Sequence, residues 1–225
     1  MRLLRSARND VVKYLSMITP TLTLERELWE KGYAHVAGVD EAGKGPWAGP
    51  VTAGAVMIHK VAQRVKGVRD SKLLSASQRE ELFDKIIKHS SAYGIGIVEA
   101  WEIDVIGIEE AVKKAMLLAL KNLEEMFGTQ INYVIVDGSR TKPLKKYESK
   151  RILKGGLYHY SIAAGSILAK VTRDRIMKKL AKEYPEYGFG RHVGYGTKLH
   201  QEKLLQFGTC PIHRKSYAPI AKLLL

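Results

Sequence analysis

His35-Val36-Ala37-Gly38-Val39-Asp40-Glu41-Ala42-Gly43-Lys44-Gly45-Pro46-Trp47-Ala48-Gly49-Pro50-Val51-Thr52-Ala53-Gly54-Ala55-Val56-Met57-Ile58 is the stretch that decides the fold. Residues 35–39 and 51–58 are short apolar runs bounded by turn residues, which predicts two buried strands. The segment from Gly43 to Pro50 joins them, and its Gly and Pro residues continue neither run. The first run ends on an acid pair. A carboxylate buried without a partner is expensive, so Asp40 and Glu41 mark a strand end. Adjacent residues of a regular strand point to opposite faces. The two acids can share a site only where the strand stops or bulges, and Gly38 and Gly43 permit that distortion.

Working outward, Tyr93 to Val98 predicts a third strand. Between the second and third, Ser77-Gln78-Arg79-Glu80 reads as a capping box, opening a helix with Leu82, Phe83, Ile86 and Ile87 on one face. Ile108 to Phe127 predicts a long helix. Ile131 to Val136 predicts a strand that runs directly into Asp137-Gly138. Arg140 to Lys154 is a basic segment with seven Lys/Arg and one acid. Ser161 to Glu183 and Thr197 to Phe207 read as helices, with a loop-like stretch from Tyr187 to Gly196 between them. Upstream, Leu22, Leu24, Leu28 and Trp29 recur at helical spacing in a peripheral region, residues 1–33. This order implies an α/β protein, a mixed sheet covered by helices with a helical C-terminal portion.

At 225 residues and 45% apolar content the chain is long enough for one good-sized core and is not a disordered polymer. One cysteine, Cys210, excludes an internal disulfide framework and a Cys-rich zinc site; this usage fits a reducing compartment, and a cytoplasmic location is expected. No apolar run approaches the roughly 18 residues of a membrane span. The basic start (Arg2, Arg5, Arg8) is followed by Val11-Val12-Lys13-Tyr14-Leu15, too broken by charge for a signal-peptide core. The charge is unevenly placed: residues 1–137 hold 18 basic and 18 acidic residues, whereas residues 138–225 hold 19 and 5, the whole net +14. Such asymmetry points either to a polyanion partner or to a solubilising face. No Lys/Arg-rich helix with a Trp/Phe face stands out there, which disfavours a membrane surface as the partner.

Asp40-Glu41 and Asp137 thus close two predicted strands. Read from the residues alone, they are either surface turns, the usual fate of Asp before Gly, or a site in which carboxylates from separate strands hold Mg²⁺ or Mn²⁺.

Residues 36–52, Val-Ala-Gly-Val-Asp-Glu-Ala-Gly-Lys-Gly-Pro-Trp-Ala-Gly-Pro-Val-Thr, resemble the signature of type 2 ribonuclease H (ribonuclease HII). Further blocks match in the same order. They are Asp70-Ser71-Lys72-Leu73, Val136-Asp137-Gly138, the stretch from Ser161 to Asp174, the stretch from Tyr187 to His200, and His213-Arg214-Lys215-Ser216-Tyr217-Ala218-Pro219. The resemblance runs from about residue 24 to 220 and leaves the N-terminal twenty or so residues outside. It implies a ribonuclease H-like mixed β-sheet flanked by helices, with a helical C-terminal extension. The division would be 1–33 (N-terminal helical extension), 34–185 (catalytic core) and 186–225 (substrate-binding extension).

The resemblance implies a monomeric endonuclease that cleaves RNA in RNA–DNA hybrids and incises duplex DNA 5′ of an embedded ribonucleotide. Its site would be four carboxylates and two divalent ions, Mg²⁺ or Mn²⁺. Asp40, Glu41 and Asp137 match three of the four, as catalytic and metal-holding residues. Gly43-Lys44-Gly45 matches the loop that reads the 2′-hydroxyl, where the family usually has Gly-Arg-Gly. Tyr195 matches the tyrosine that packs on the sugar, and Lys72 a phosphate contact. Arg191, His192, Lys198, His213, Arg214 and Lys215 are further candidates for phosphate contact. Asp174 reads as structural, a helix-surface ion pair.

The fourth carboxylate does not match. The family has Lys-Gly-Asp shortly before the Ala-Ala-x-Ser helix, and this chain has Lys154-Gly155-Gly156. Glycine offers no ligand, and Glu148 and His159 are the neighbours in sequence that could replace it. Activity is the favoured expectation; the alternative is a catalytically weakened or non-catalytic hybrid-binding relative.

Overall fold

The computed structural model describes residues 18–59, 64–138 and 144–224. In chain order, α1 (Thr23–Glu30) leads into the hairpin β1 (Val36–Ala42) and β2 (Val51–Met57). A 3-10 turn at Ser71–Leu73 and α2 (Ala76–His89) lead to β3 (Ala92–Val98). Then come α3 (Ala100–Ile106), α4 (Ile108–Phe127), β4 (Tyr133–Asp137), β5 (Ser149–Ile152) and the single turn α5 (Gly155–Tyr158). The long α6 (Tyr160–Glu183) is followed by α7 (Phe189–His192), α8 (Lys198–Phe207) and α9 (Ala218–Ala221).

The sheet has the order β3-β2-β1-β4-β5. β1, β2 and β3 form an antiparallel meander, while β4 runs parallel to β1 and β5 parallel to β4. Successive side chains serve opposite faces. Ala37, Val39, Ala53 and Ala55 meet α4 through Ala115, Met116 and Ala119; Val36, Val56 and Ile135 meet α6 through Ile162, Ala163 and Ile167. Small residues set how closely these layers approach. A Cβ placed on Gly96 would lie 1.9 Å from the Ala115 carbonyl oxygen of α4, and one on Gly54 would lie 2.4 Å from the Gly165 carbonyl oxygen of α6. The buried Glu25 of α1 accepts from the Ser161 N–H (3.0 Å) and hydroxyl (2.6 Å), tying the first helix to the start of α6.

The mixed sheet between helices is the architecture expected. Four local expectations change. The capping box is Ser75 with Gln78, not a box beginning at Ser77: Ser75 Oγ accepts from Gln78 N at 3.3 Å and Gln78 Oε1 from Ser75 N at 2.9 Å. The basic segment contains β5, whose Lys150 and Arg151 are exposed; edge strands carry charge, which hides them from hydrophobic patterning. Residues 140–143 of that segment, like residues 1–17, lie outside the described residues. α3 has no counterpart in the hydrophobic pattern: it buries only Ala100 and Ile103 and exposes Trp101 and Val105. α7 is a single helical turn within the stretch expected to be loop.

Candidate active site

β1 pairs with β4 only as far as Val39↔Val136. Asp40 and Asp137 are the next residues of these two adjacent parallel strands; each stays paired on its other side, Asp40 with Gly54 of β2 and Asp137 with Ile152 of β5, so they flank the gap where β1 and β4 part at the carboxyl edge, where open α/β sheets place ligand sites. No bulge separates Asp40 from Glu41, since the β1–β2 ladder continues through Asp40↔Gly54, Glu41↔Ala53 and Ala42↔Thr52. The end of the β4 pairing, rather than a distortion of β1, opens the space.

Asp40 is buried, and its Oδ1 accepts from the Glu41 N–H at 2.7 Å. Asp137 Oδ1 accepts from the N–H groups of Gly138 (2.9 Å) and Gly155 (2.6 Å). Lys154, in the left-handed region at φ 56°, turns the chain so that the Gly155 N–H meets Asp137. Burial, then the negative charges of Glu41 and Asp137, push the Asp40 carboxyl well above the usual carboxylate range. Burial and Asp137 likewise raise Glu41, and burial raises Asp137 against the pull of its two backbone donors. Burial alone would lower the Lys72 ammonium, but Asp70, Asp40, Asp137 and Glu41 together raise it.

Burial penalises the charged forms of these three carboxylates, with Lys72 among them and the Lys44 charge acting on Glu41. That donor set, all oxygen, suits a hard divalent cation. Among the described residues, no three His, Cys, Asp or Glu side chains already converge at ligand distance on one point.

The Gly43–Pro50 loop is held from beneath by two buried arginines. Arg214 donates to the carbonyls of Gly43 (2.7 Å), Lys44 (3.2 Å) and Gly49 (3.0 Å), and Arg173 to those of Pro50 (2.9 Å), Ala48 (3.0 Å) and Val193 (2.9 Å). Burial lowers both guanidinium groups, Arg173 to about 10. A Cβ on Gly43 would fall 2.2 Å from Arg173 Nε, so the loop has room only for glycine there. Tyr195 stands beside Gly45, its ring 3.8 Å from where a Gly45 Cβ would lie, and the preceding carbonyl of Gly194 accepts from the Trp47 N–H at 2.8 Å.

Tyr195 is positioned by a buried chain of imidazoles. The Cys210 N–H donates to His213 Nδ1 at 2.9 Å, which requires that nitrogen to be unprotonated and places the proton on Nε2. His213 Nε2 then donates to His200 Nε2 at 3.0 Å, leaving His200 Nδ1 to donate to the Tyr195 carbonyl at 3.0 Å. Burial lowers both imidazoles to about 4, which keeps them neutral.

Asp40, Glu41, Asp137 and Lys72 are therefore brought together, as are Gly45 and Tyr195. Lys44 is paired with Glu109 at 2.7 Å, and both remain partly exposed. Among the candidates for phosphate contact, Arg191, Lys198 and Lys215 are exposed, but His192, His213 and Arg214 are not surface groups. Their polar atoms are used inside the protein, His192 Nε2 against the Tyr187 carbonyl at 2.8 Å and the other two as above. Neither sequence neighbour proposed for position 156 faces it. Glu148 accepts from the Tyr33 hydroxyl at 2.6 Å, and His159 lines a separate cavity with Thr23, Leu24 and Glu27. The nearest group to Gly156 is Asp70. Asp174 pairs with Lys170, one turn earlier on the helix, at 2.7 Å. The roles of Asp70, Arg173 and Arg214 carry no signal in residue pattern alone, because each depends on contacts far away in the chain.

The fold is shared with solved structures. The ribonuclease H2 from Pyrococcus horikoshii OT3 is 31% identical, with a TM-score of 0.66 over 84% of this chain and 96% of that one. Bst-RNase HIII in complex with Mn²⁺ shares the fold at 19% identity and a TM-score of 0.60, covering 85% and 70%. The sheet with acids at its carboxyl edge is that of a ribonuclease H-like nuclease. The family model for ribonuclease HII matches residues 37–220. The ribonuclease HII of Geobacillus sp. (strain WCH70) is 46% identical over 200 residues, 89% of this chain and 70% of the relative. The chain belongs to the ribonuclease HII family, a family of endonucleases.

Proposed function

We propose that this chain hydrolyses the RNA strand of RNA–DNA hybrids and incises duplex DNA on the 5′ side of an embedded ribonucleotide. The observation that carries this reading is the placement of Asp40 and Asp137 on adjacent parallel strands at the point where β1 and β4 part, with Glu41 and Lys72 in the same electrostatic field. In this reading Asp40, Glu41 and Asp137 hold Mg²⁺ or Mn²⁺. Two such ions supply activation of the attacking water and stabilisation of the leaving 3′ oxygen.

The chain's own groups do the rest. Lys72 is a cation for a phosphate oxygen entering the site. Gly43, Lys44 and Gly45 present backbone to the sugar, where the 2′-hydroxyl distinguishes RNA from DNA, and the two buried arginines fix that backbone. Tyr195 packs on the adjoining sugar. Arg191, Lys198 and Lys215, in residues 186–225, hold the duplex by its phosphates, and residues 34–185 form the catalytic core. The protein acts as a monomer in this scheme.

The test is incision of a DNA duplex carrying one ribonucleotide, with Mg²⁺ and with Mn²⁺. Specific 5′ cuts that disappear in Asp40→Asn support the reading; no cut with either ion at high enzyme concentration sinks it. Gly156 favours one second reading, a hybrid-binding relative without catalysis, which would bind that duplex and leave it intact.

A further inference from the structure

Gly156 stands where the family's fourth carboxylate would be expected, and the structure shows what lies against it. The three nearest atoms to a Cβ built on Gly156 all belong to Asp70: Oδ2 at 3.3 Å, Cβ and Cγ at 3.7 Å. Asp70 is 8% exposed. Its Oδ1 caps the 3-10 turn by accepting from the Lys72 N–H at 2.9 Å, while its Oδ2 makes no hydrogen bond among the described residues. The turn itself is fixed. The Ser71 N–H donates to Ser166 Oγ of α6 at 3.1 Å, and Arg79 donates to the carbonyls of Ser71 (3.0 Å) and Leu74 (2.6 Å).

Asp70 and Asp137 line the same cavity of about 350 Å³, with Lys72, Gly138, Lys154 and Leu157 around it. Asp70 Oδ2, without a hydrogen-bond donor among the described residues, borders the cavity that Asp137 also lines, so a cation held there would meet oxygens of both carboxylates. Glycine at 156 leaves that side of the cavity open, whereas an aspartate there would put a second carboxylate directly against the first.

We propose that Asp70 supplies to the divalent-ion site the carboxylate that position 156 lacks. The 3-10 turn after Asp70 then serves two ends at once: Oδ1 holds the turn that carries Lys72, and Oδ2 faces the ion. This rests on the reading of Asp40, Glu41 and Asp137 as a metal site, and the experiment separates the two.

Mn²⁺ binding to the full-length protein is titrated by electron paramagnetic resonance, without substrate, for wild type, Asp70→Asn, Asp40→Asn and Gly156→Asp. Asparagine keeps the Oδ1 acceptor that caps the turn, so thermal melting of Asp70→Asn should stay close to wild type. Asp70→Asn is expected to weaken Mn²⁺ binding at least tenfold. Gly156→Asp is expected to change it by less than threefold, because the role is already filled. Wild-type Mn²⁺ binding by Asp70→Asn, with binding lost in Asp40→Asn, overturns the proposal and leaves the metal site standing. A tenfold gain in Gly156→Asp also overturns it, and this variant does not depend on how Asp70→Asn folds. Undiminished binding in Asp40→Asn defeats the underlying reading, and the proposal with it.

Discussion

His213 donates its Nε2 proton to His200 Nε2 across 3.0 Å inside the protein, and through that bond the Cys210 backbone is linked to the carbonyl of Tyr195. The link is made with both rings neutral: a second proton on His200 leaves two donors facing each other, and one on His213 Nδ1 sets it against the Cys210 N–H, with the Cys210 carbonyl at 3.2 Å as the acceptor left to it. Burial lowers both imidazoles to about 4 from an ordinary 6.5. The unfolded chain therefore binds more protons than the folded one between these values, and stability falls as pH drops through that window. We expect a loss approaching about 1.4 kcal/mol per pH unit for each ring that must stay neutral. Denaturant melts from pH 7 to pH 4.5 should show it, and His213→Gln should reduce the slope. An unchanged slope would assign the acid sensitivity elsewhere.

Asp40 carries the opposite sign. Its carboxyl is raised by burial and by its acidic neighbours, so the folded state keeps the proton to higher pH than the unfolded one. Ionised Asp40 is thus a cost to the folded, ion-free protein above that raised value, and acidification relieves it. Asp40→Asn should abolish incision yet raise the melting temperature at pH 7 in chelator by about 2–4 °C, the shift that roughly 1 kcal/mol makes at this size. The gain should shrink toward acidic pH. A lower melting temperature in chelator would contradict the electrostatic account.

Arg214→Lys keeps a positive charge but cannot reach the Gly43, Lys44 and Gly49 carbonyls together. The Lys44 carbonyl keeps the Tyr217 hydroxyl as donor at 2.6 Å, and leaving the other buried acceptors unpaired costs about 1–3 kcal/mol each. We expect a destabilisation of roughly 3 kcal/mol and a poorer ratio of cutting at ribonucleotides to cutting at DNA. Calorimetry paired with matched ribo- and deoxy-substrates measures both, and a wild-type ratio would mean the arginine only supports the fold.

Gly96→Ala places a methyl 1.9 Å from the Ala115 carbonyl, so α4 must move off β3. Overpacking of backbone on backbone should cost about 3 kcal/mol or more. Urea unfolding should show a lower midpoint with an unchanged slope.

Replacing Arg191, Lys198 and Lys215 together by glutamine should flatten the salt dependence of duplex binding. Every phosphate that goes un-neutralised reduces the log–log slope by about 0.9. A drop of two to three units in a binding titration, with Mn²⁺ binding unaffected, would place all three on the duplex. No change in slope would remove them from it.

Much of the candidate site was legible in the sequence because chemistry at strand ends is local. Two apolar runs, each closing on an acid, place carboxylates at one edge of a sheet, and the glycines of Gly43-Lys44-Gly45 announce a tight loop. The position lacking a carboxylate, Gly156, was visible through the family resemblance alone. What covers that position was not: Glu148 and His159 are its neighbours in sequence, whereas Asp70 reaches it from 86 residues away by way of the α6 contact at Ser166. The basic residues near the C-terminus misled for a related reason. Charge reads the same in sequence whether it is exposed, as in Lys215, or turned inward on backbone carbonyls, as in Arg214.

The sequence by itself determined the mixed α/β architecture, the acids that close the apolar runs of β1 and β4, and the concentration of positive charge after residue 137, since periodicity, turn chemistry and composition act over short range; that β1 continues past its acids to Ala42 came from its pairing with β2. Only the tertiary structure decided which charges are free to meet a ligand. It alone brought Asp70 against Gly156, set Arg173 and Arg214 beneath the Gly43–Pro50 loop, and joined His213 to Tyr195 through His200. A buried polar group must find its partner wherever the fold offers one, and the sheet and α6 bring those partners together from distant parts of the chain.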